Sequence, residues 1–149
     1  EKIDLIIEKV VEIGIQKISF VTTDRTIRNK ININRIKRIT ISAMKQSGQF
    51  YLPIINNLRM FNEIIENTTD QQRFIAHLEE EVSKSHIVSQ YKKGLSCCII
   101  IGPEGDFTKE EIKFARKNKF IPVSLGNSTL RTETAAIYSV SAINTLNEQ

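Results

Sequence analysis

Apolar residues recur every three or four positions in several stretches of the chain, which is the pattern of a helix with one buried face. This spacing predicts a first helix over residues 2–13, where Gly14 follows the last apolar position and ends the helix. A second helix is predicted over residues 34–47, and Gly48 ends it in the same way. The same reasoning predicts further helices over residues 61–65, 108–117 and 132–146.

Short apolar runs between these helices predict strands. Residues 96–101 carry the strongest pattern, because they are apolar on both faces, β-branched and bounded by Gly94 and Gly102. Further strands are predicted over residues 15–21, 73–78 and 120–124. The acidic run 79–81 and the polar stretch after it are predicted to be surface. The alternation of strand and helix predicts an α/β fold, with a mostly parallel sheet flanked by helices.

The composition agrees with one compact domain. The chain has 149 residues, of which 40% are hydrophobic and 26% are charged, so it can bury a core of ordinary size. Disordered, collagen-like and disulfide-scaffold classes are excluded by the same composition. No apolar run approaches the roughly 18 residues that span a bilayer, and no signal peptide leads the chain. Because the first residue is Glu1 rather than Met, we expect a piece of a longer protein.

Cysteine and histidine residues bear on redox state and metal binding. Cys97 and Cys98 are adjacent in a predicted strand, where neighbouring side chains point to opposite faces, so they are unsuited to a disulfide. His77 and His86 have no cysteine or carboxylate at ligand spacing beside them, so no metal site is predicted. We expect His77 to be a structural histidine with its hydrogen bonds satisfied. The unpaired cysteines favour a reducing cytoplasm.

The positive charge is mild overall but unevenly distributed. The formal net charge is +4, and residues 25–52 contain seven cations and no acid. Such a concentration of cations favours a polyanion partner such as nucleic acid. The alternative is a solvated basic face on the second predicted helix, since only Phe50 and Tyr51 supply aromatic side chains there. The cations are Arg25, Arg28, Lys30, Arg35, Lys37, Arg38 and Lys45.

Two unusual loops follow predicted strands and lead into predicted helices, at residues 102–107 and 125–135. Ligands of open α/β sheets bind beyond the carboxyl ends of the strands, so both loops are where a ligand site is expected. Thr108 and Glu111 form a capping box that starts the helix after the first loop. Neither loop has the glycine spacing of a dinucleotide-binding loop or the Gly-Lys-Ser/Thr of a P-loop, so phosphate cradling is disfavoured. The alternative for each loop alone is an ordinary strand-to-helix connection.

Taken together, the residues of these loops resemble a known family. Residues 101–105 read Ile-Gly-Pro-Glu-Gly, and they are followed by Leu-Gly at 125–126 and Leu-Arg-Thr-Glu-Thr-Ala at 130–135. These motifs resemble those of the 16S ribosomal RNA uridine-N3 methyltransferases, which are S-adenosylmethionine enzymes of the knotted SPOUT class. Earlier residues agree over nearly the whole chain, namely Lys9 with 12–15, then 23–25, 46–48 and Pro53.

The resemblance implies a fold, a cofactor and partners. Residues 1–149 are expected to form a SPOUT-like methyltransferase domain with a C-terminal deep trefoil knot, without the family's N-terminal PUA-like RNA-binding domain. The loops after strands 73–78, 96–101 and 120–124 would cradle S-adenosylmethionine. Family members resemble obligate homodimers that act on ribosomal RNA or the small ribosomal subunit, and the broad apolar face of the last helix also favours a dimer. The expected cofactor-binding residues are Leu78, Ile101, Gly102, Pro103, Gly105, Leu125, Gly126, Leu130, Thr132 and Ala135.

Some residues depart from the family pattern. Asp106 stands where the family tends to have a second glycine, and Ser128 and Gln49 stand where it tends to have arginine. Thr129 replaces an isoleucine and Lys45 a glutamate. The lost arginines bear on RNA contacts more than on cofactor binding, which depends mainly on backbone and small residues. Two other functions stay open: a non-catalytic RNA-binding module on the same fold, and methylation of a different RNA.

Methylation at N3 of uracil needs in-line placement of the methyl group and the loss of a weakly acidic imide proton. Arg131 is permanently protonated, so it is no base, but it can stabilise the negative charge that develops on the uracil oxygens. Glu133 is predicted either to orient Arg131 or to lie at the positive N-terminus of the last helix. The alternative for this pair is a plain ion pair with a helix cap. Glu104 is expected to accept backbone N–H groups of its loop, and Thr132 and Thr134 to cap the last helix.

Four cations are predicted to hold RNA phosphates rather than read bases, because they lie in the segment without acids. These residues are Arg25, Arg28, Arg35 and Arg38. Arg35 and Arg38 lie on a different element from the two late loops, so we expect their replacement to leave cofactor affinity unchanged.

Overall fold

Helices and strands alternate along the computed structural model, which describes residues 2–27, 30–80 and 83–148. The first half contains α1 (Lys2–Ile13), β1 (Lys17–Thr22), α2 (Ile33–Gln46), β2 (Ile54–Met60) and α3 (Phe61–Asn67). The second half contains β3 (Gln72–Ala76), β4 (Ser85–His86), α4 (Ile87–Gln90), β5 (Cys97–Ile101), α5 (Lys109–Lys117), β6 (Ile121–Ser124) and α6 (Thr132–Glu148). The helices and strands predicted from the sequence are all present, with their ends shifted by two residues at most.

The strands form two sheets. β1 pairs with β2, and the larger sheet has the order β4-β6-β3-β5. Every strand pair within the described ranges is parallel, which confirms the α/β prediction. β3 lies between β5 and β6, so the chain returns to both sides of the same strand. The trefoil knot implied by the resemblance stays a prediction.

Helices α1 and α2 pack over the smaller sheet. Ile7 and Val11 of α1 meet Ile36 and Ala43 of α2 in one buried cluster. Gly14 ends α1 with a φ of 112°, a left-handed conformation that glycine adopts without strain. The chain thereby turns from the helix into β1, as the apolar spacing predicted.

The larger sheet has a core on each of its faces. Ile75 and Ile100 pack with α3 and α5 on one face, and Phe74 packs with α4 and α6 on the other. Cys98 contacts the first core and Cys97 the second, which confirms that these adjacent side chains point to opposite faces. Burial raises the pKa of the Cys97 thiol to about 12 and that of Cys98 to about 11.

The segment between β3 and β5 differs from its prediction. It was expected to be surface, yet it contains β4 and α4, and the side chain of Ile87 is 0% exposed. β4 pairs with β6, so the burial comes from a partner far along the chain and leaves no local periodicity. β3 also ends at Ala76, so His77 and Leu78 lie in the loop after it. Glu81 of the acidic run lies outside the described residues.

α6 has apolar side chains around most of its circumference. Only Ala135 and Ser139 are fully buried, and most of its other residues are half-exposed. Across the described residues, no helix is both long and apolar enough to cross a membrane.

Candidate active site

The carboxyl ends of β3, β5 and β6 lie side by side. In the register of the larger sheet, Ala76 pairs with Ile101 on β5 and with Val123 on β6. The loops that follow these strands therefore begin at neighbouring points on one edge of the sheet. The two motif loops predicted from the sequence meet at this edge.

Thr132 joins the two motif loops directly. Its Oγ1 donates a hydrogen bond to the carbonyl oxygen of Gly102, at 2.9 Å. The sequence predicted that this hydroxyl would cap α6, and that prediction is wrong, because the hydroxyl is used across the site instead. The first helical hydrogen bond of α6 runs from Ala135 N to Arg131 O, at 2.8 Å.

The loop after β5 is a tight turn shaped by Asp106. Asp106 N donates to Pro103 O at 2.9 Å, and Asp106 has a φ of 59°, in the left-handed region that aspartate tolerates. Its Oδ2 accepts the N–H of Leu78 at 2.8 Å, which ties this loop to the loop after β3. Glu104 was predicted to accept backbone N–H groups of this loop, and that prediction is wrong, because α1 begins at this edge and brings Lys2 to the Glu104 carboxylate.

The backbone at Gly102 has little room for a side chain. A Cβ placed there would lie 3.1 Å from Cε2 of Phe107 and 3.2 Å from Oδ1 of Asp106. Glycine at this position therefore lets Phe107 and Asp106 pack directly against the loop backbone.

A group of four charges lies around the two motif loops. The ion pair between Lys2 and Glu104 raises the pKa of Lys2 and lowers the pKa of Glu104. The charge of Arg131 lowers the pKa of Glu104 further, and that of Glu133 raises the pKa of Lys2. In the described part of the chain, Arg131 and Glu133 form no ion pair with each other. Glu133 lies in the first turn of α6, so the geometry favours its role at the helix N-terminus.

The loop after β1 also reaches this edge. Arg25 Nη1 donates to the carbonyl oxygen of Gly105 at 2.7 Å. The N–H of Asp24 donates to Oε1 of Glu111 at 2.9 Å. Arg25, which the sequence predicts to hold RNA phosphate, therefore contacts the loop after β5, because β1 ends beside that loop and the start of α5.

The capping box at the start of α5 is confirmed. Glu111 N donates to Oγ1 of Thr108 at 3.2 Å, and Thr108 N donates to Oε2 of Glu111 at 2.8 Å. Glu111 is only 6% exposed, and its two oxygens each accept one backbone N–H. A buried carboxylate is tolerated here because both oxygens have donors.

The remaining predicted RNA contacts have different surroundings. Arg35 meets the Asp4 carboxylate with two donors, at 3.2 Å from Nε and 2.8 Å from Nη2. Residues 25–52 contain no acid in the sequence, but the fold brings Asp4 of α1 next to Arg35. Arg38 is exposed and forms no hydrogen bond or ion pair with the residues described. Arg28 lies outside those residues.

His77 is buried without a hydrogen-bond partner. Its side chain is 6% exposed, and neither ring nitrogen has a partner among the residues described. The prediction that its hydrogen bonds are satisfied is therefore wrong. Burial lowers the pKa of the imidazole below its ordinary value of 6.5.

As for metals, the described ranges hold no cluster of three or more His, Cys, Asp or Glu able to bind an ion.

The predicted cofactor residues all lie on the loops and element ends of this edge. Leu78 is half exposed, and Gly126 has a φ of 131° with its N–H donating to Oγ of Ser124 at 3.1 Å. An open cleft of about 460 Å³ lies beside them, between the loops after β1, β3 and β5. The cleft is lined by Arg25, Leu78, Glu79, Glu80, Asp106, Phe107 and Lys109.

Two contributors to the site were missed by sequence reasoning. Asp106 replaces a glycine of the family pattern, which is itself a signal of left-handed backbone at that position. Lys2 gave no signal, because its contact with Glu104 joins residues 102 positions apart and depends on the whole fold.

A parallel α/β fold with two motif loops joined at one sheet edge is also found in proteins that modify RNA. The family model of the RNA methyltransferase domain matches residues 1–144, so the chain belongs to the RNA methyltransferase domain family. The resemblance found in the loop motifs is thereby confirmed.

Two curated relatives match almost the whole chain. Ribosomal RNA small subunit methyltransferase E 2 of Borreliella burgdorferi is 35% identical over 155 residues, which cover 99% of this chain and 62% of that protein. Ribosomal RNA small subunit methyltransferase E of Buchnera aphidicola is 33% identical over 153 residues, which cover 98% of this chain and 59% of that protein. The chain spans about three fifths of the length of these relatives.

Solved structures agree with the fold. A probable rRNA-methyltransferase from Porphyromonas gingivalis has a TM-score of 0.92 and 38% identity, and the match covers 99% of this chain and 63% of that one. A ribosomal RNA small subunit methyltransferase E from Neisseria gonorrhoeae, bound to S-adenosyl methionine, has a TM-score of 0.85 and 28% identity, over 97% of this chain and 61% of that one.

Proposed function

We propose that residues 1–149 form the catalytic domain of an S-adenosylmethionine-dependent enzyme that methylates N3 of a uridine in 16S ribosomal RNA. The observation that carries the proposal is the hydrogen bond from Thr132 to Gly102, because it joins the two motif loops where β3, β5 and β6 end. The S-adenosyl methionine bound to the similar protein from Neisseria gonorrhoeae supports it. This activity makes the protein a factor in ribosome biogenesis, and we propose that it works in the cytoplasm.

The residues of the two loops fit this cofactor. Gly102 and Gly105 carry no side chains, so the loop backbone groups are accessible for hydrogen bonds with the cofactor. Apolar side chains for an adenine ring are available from Leu78, Leu125 and Leu130. We propose that these residues hold the cofactor with Ile101, Pro103, Gly105, Gly126, Thr132 and Ala135. When bound, S-adenosylmethionine supplies an electrophilic methyl group.

Arg131 is proposed to act on the uracil. As the N3 proton leaves, negative charge spreads onto the two uracil oxygens, and a fixed guanidinium lowers the energy of that charge. Glu133 lies in the first turn of α6, where the helix N-terminus stabilises its carboxylate. No side chain is assigned to accept the imide proton, which passes to solvent water or hydroxide.

The exposed basic face of α2 is proposed to hold RNA phosphates. Arg38 has no protein partner within the described residues, so all its donors are free for a phosphate. Arg35 is shared with Asp4, and we expect a smaller contribution from it. Replacing Arg35 and Arg38 together with Ala should weaken RNA binding and reduce its salt dependence by roughly one unit of slope per lost contact. Unchanged salt dependence would contradict this assignment.

We propose a homodimer that buries part of α6. Most apolar side chains of this helix are only half covered by the chain itself. An isologous contact would cover them. Light scattering of the purified chain should give twice its 17.0 kDa mass. A 17.0 kDa particle at micromolar concentration would contradict the dimer.

Methyl transfer tests the proposed reaction. The purified chain, and the longer protein where the gene encodes one, should transfer a labelled methyl group from S-adenosylmethionine to small ribosomal subunits that lack the modification. Mass spectrometry of the product nucleoside should show 3-methyluridine. Transfer to another nucleoside or another RNA would favour a different substrate. RNA binding without any transfer would favour the non-catalytic module, for which Ser128 and Gln49 are the sequence grounds.

A further inference from the structure

We infer that Arg25 is a positioning residue for the cofactor loop 102–105, and not a contact to RNA phosphate. The inference rests on the proposed function, because it concerns the loop that would hold S-adenosylmethionine. It assigns to the turn after β1 a part in building the cofactor site.

Arg25 holds this loop by two kinds of contact. Its guanidinium donates to Gly105 O at 2.7 Å, and a charged donor makes a stronger hydrogen bond than a neutral one. Its aliphatic stem covers the glycine, since a Cβ placed on Gly105 would lie 3.4 Å from both Cβ and Cδ of Arg25. The side chain is exposed, but it lies against this loop along its length.

The turn that carries Arg25 is itself well held. Thr26 N donates to Thr23 O at 3.1 Å, and Thr23 N donates to Oγ1 of Thr26 at 2.8 Å. The two threonine hydroxyls lie 2.9 Å apart in a further hydrogen bond. These hydrogen bonds stabilise the turn, so the backbone at Arg25 is held in a fixed conformation.

A second anchor lies three residues beyond the cofactor loop, at the start of α5. Glu111 accepts the N–H of Asp24 with one carboxylate oxygen and the N–H of Thr108 with the other, at 2.9 and 2.8 Å. The turn after β1 is thereby fastened to the start of α5. Arg25 thus holds the loop at Gly105, and Glu111 holds the start of α5 at Thr108.

The loop needs such support because its glycines allow many backbone conformations. Fixing it before the ligand arrives removes part of the ordering cost from the binding free energy. Loss of Arg25 should therefore weaken cofactor binding, although the residue lies in the basic segment that the sequence assigned to RNA.

The test compares Arg25→Ala with Arg38→Ala, which removes an exposed cation of the same segment that makes no hydrogen bond or ion pair with the described residues. S-adenosylhomocysteine is titrated into each protein by calorimetry, and binding of small-subunit RNA is measured in parallel. Arg25→Ala should bind S-adenosylhomocysteine about five- to tenfold more weakly and RNA within about twofold of wild type. Arg38→Ala should show the opposite pattern. Arg25→Lys, which keeps the stem and a cationic donor, should recover most of the cofactor affinity.

Steady-state kinetics gives an independent measurement. If Arg25 only positions the loop, Arg25→Ala should raise the KM for S-adenosylmethionine more than it lowers kcat. Wild-type affinity of Arg25→Ala for S-adenosylhomocysteine would overturn the inference while leaving the proposed function intact. A wild-type protein that binds no S-adenosylhomocysteine would instead overturn the proposed function, and the inference with it.

Discussion

The loops after β5 and β6 carry the two motifs of the site, but they are held in different ways. Residues 102–107 are contacted by side chains or backbone groups from four other segments, at Lys2, Arg25, Leu78 and Thr132. The described hydrogen bonds of residues 125–131 are with their own neighbours, through the Ser124 hydroxyl and the first turn of α6, and Leu125 packs against the core around Phe74. The first loop is therefore shaped before any ligand arrives, whereas the second retains freedom to adjust to one.

The largest effect is expected at the end of the second loop. Arg131→Ala should lower the rate of methyl transfer by about a hundredfold or more, the typical loss for one donor that stabilises developing negative charge. The affinity for S-adenosylhomocysteine should change by less than about twofold, because cofactor contacts come mainly from backbone and apolar groups. Single-turnover assays with labelled cofactor measure the rate. A near wild-type rate would remove Arg131 from the reaction.

A smaller effect is expected from crowding the first loop. In Gly102→Ala the new Cβ would meet Phe107 and Asp106 at 3.1 and 3.2 Å, and both neighbours belong to a loop that cannot easily give way. We expect S-adenosylhomocysteine affinity to fall about tenfold, with a loss of about 1–3 kcal/mol in the free energy of unfolding.

Gly126→Ala is the matched change in the second loop. Its φ of 131° makes a side chain strained, but apart from its chain neighbours no atom of the described residues lies within 4 Å of the added Cβ. Because that loop can adjust, the Gly126→Ala variant should lose less affinity for S-adenosylhomocysteine than the Gly102→Ala variant, as measured by calorimetry. The opposite order would contradict the difference between the two loops.

Removing the bond between the loops should have an intermediate effect on cofactor affinity. Thr132→Val keeps the shape of the side chain but leaves Gly102 O without its donor, a change worth about 1 kcal/mol, or about fivefold in affinity. Thr134→Val is the control, since that hydroxyl lies in the same turn and makes no hydrogen bond within the described residues. Equal affinities of the two variants, measured by calorimetry, would show that the loops are not coupled through Thr132.

The smallest effect concerns the loop after β3, at His77. Burial lowers the pKa of its imidazole below 6.5, so the unfolded chain binds a proton more readily than the folded one. The contribution to stability is therefore complete above about pH 6.5 and is lost as the pH falls below that value. Thermal unfolding at pH 7.5 and 5.5 should show a larger decrease for wild type than for His77→Leu. Parallel decreases would exclude His77 as the cause.

The helices and strands of this fold could be predicted from the sequence where their signals are local. The apolar spacing of α1 and α2 and the capping residues Thr108 and Glu111 are short-range features, and the structure confirms them. β4 and α4 could not be predicted, because Ile87 is buried through the pairing of β4 with β6. Elements of two and four residues are too short to show a period.

The site shows the same division between local and distant signals. The two motif loops were placed correctly, because parallel strands end at one edge and the loop residues carry the family resemblance. The partners of the charged residues were not predicted, because the packing of α1 brings Asp4 to Arg35 and Lys2 to Glu104. Single-sequence reasoning identifies which residues carry charge, but their partners come from the tertiary fold.

The adjacent thiols of Cys97 and Cys98 can serve as two probes of local unfolding in this protein. Only the thiolate reacts with alkylating reagents, and partial burial with a raised pKa slows the reaction of both groups while their cores stay closed. Because one thiol faces the α3–α5 side and the other the α4–α6 side, each should be labelled faster when its own side of the sheet opens. The labelling rates of two neighbouring residues thus separate the local unfolding of the two halves of this domain.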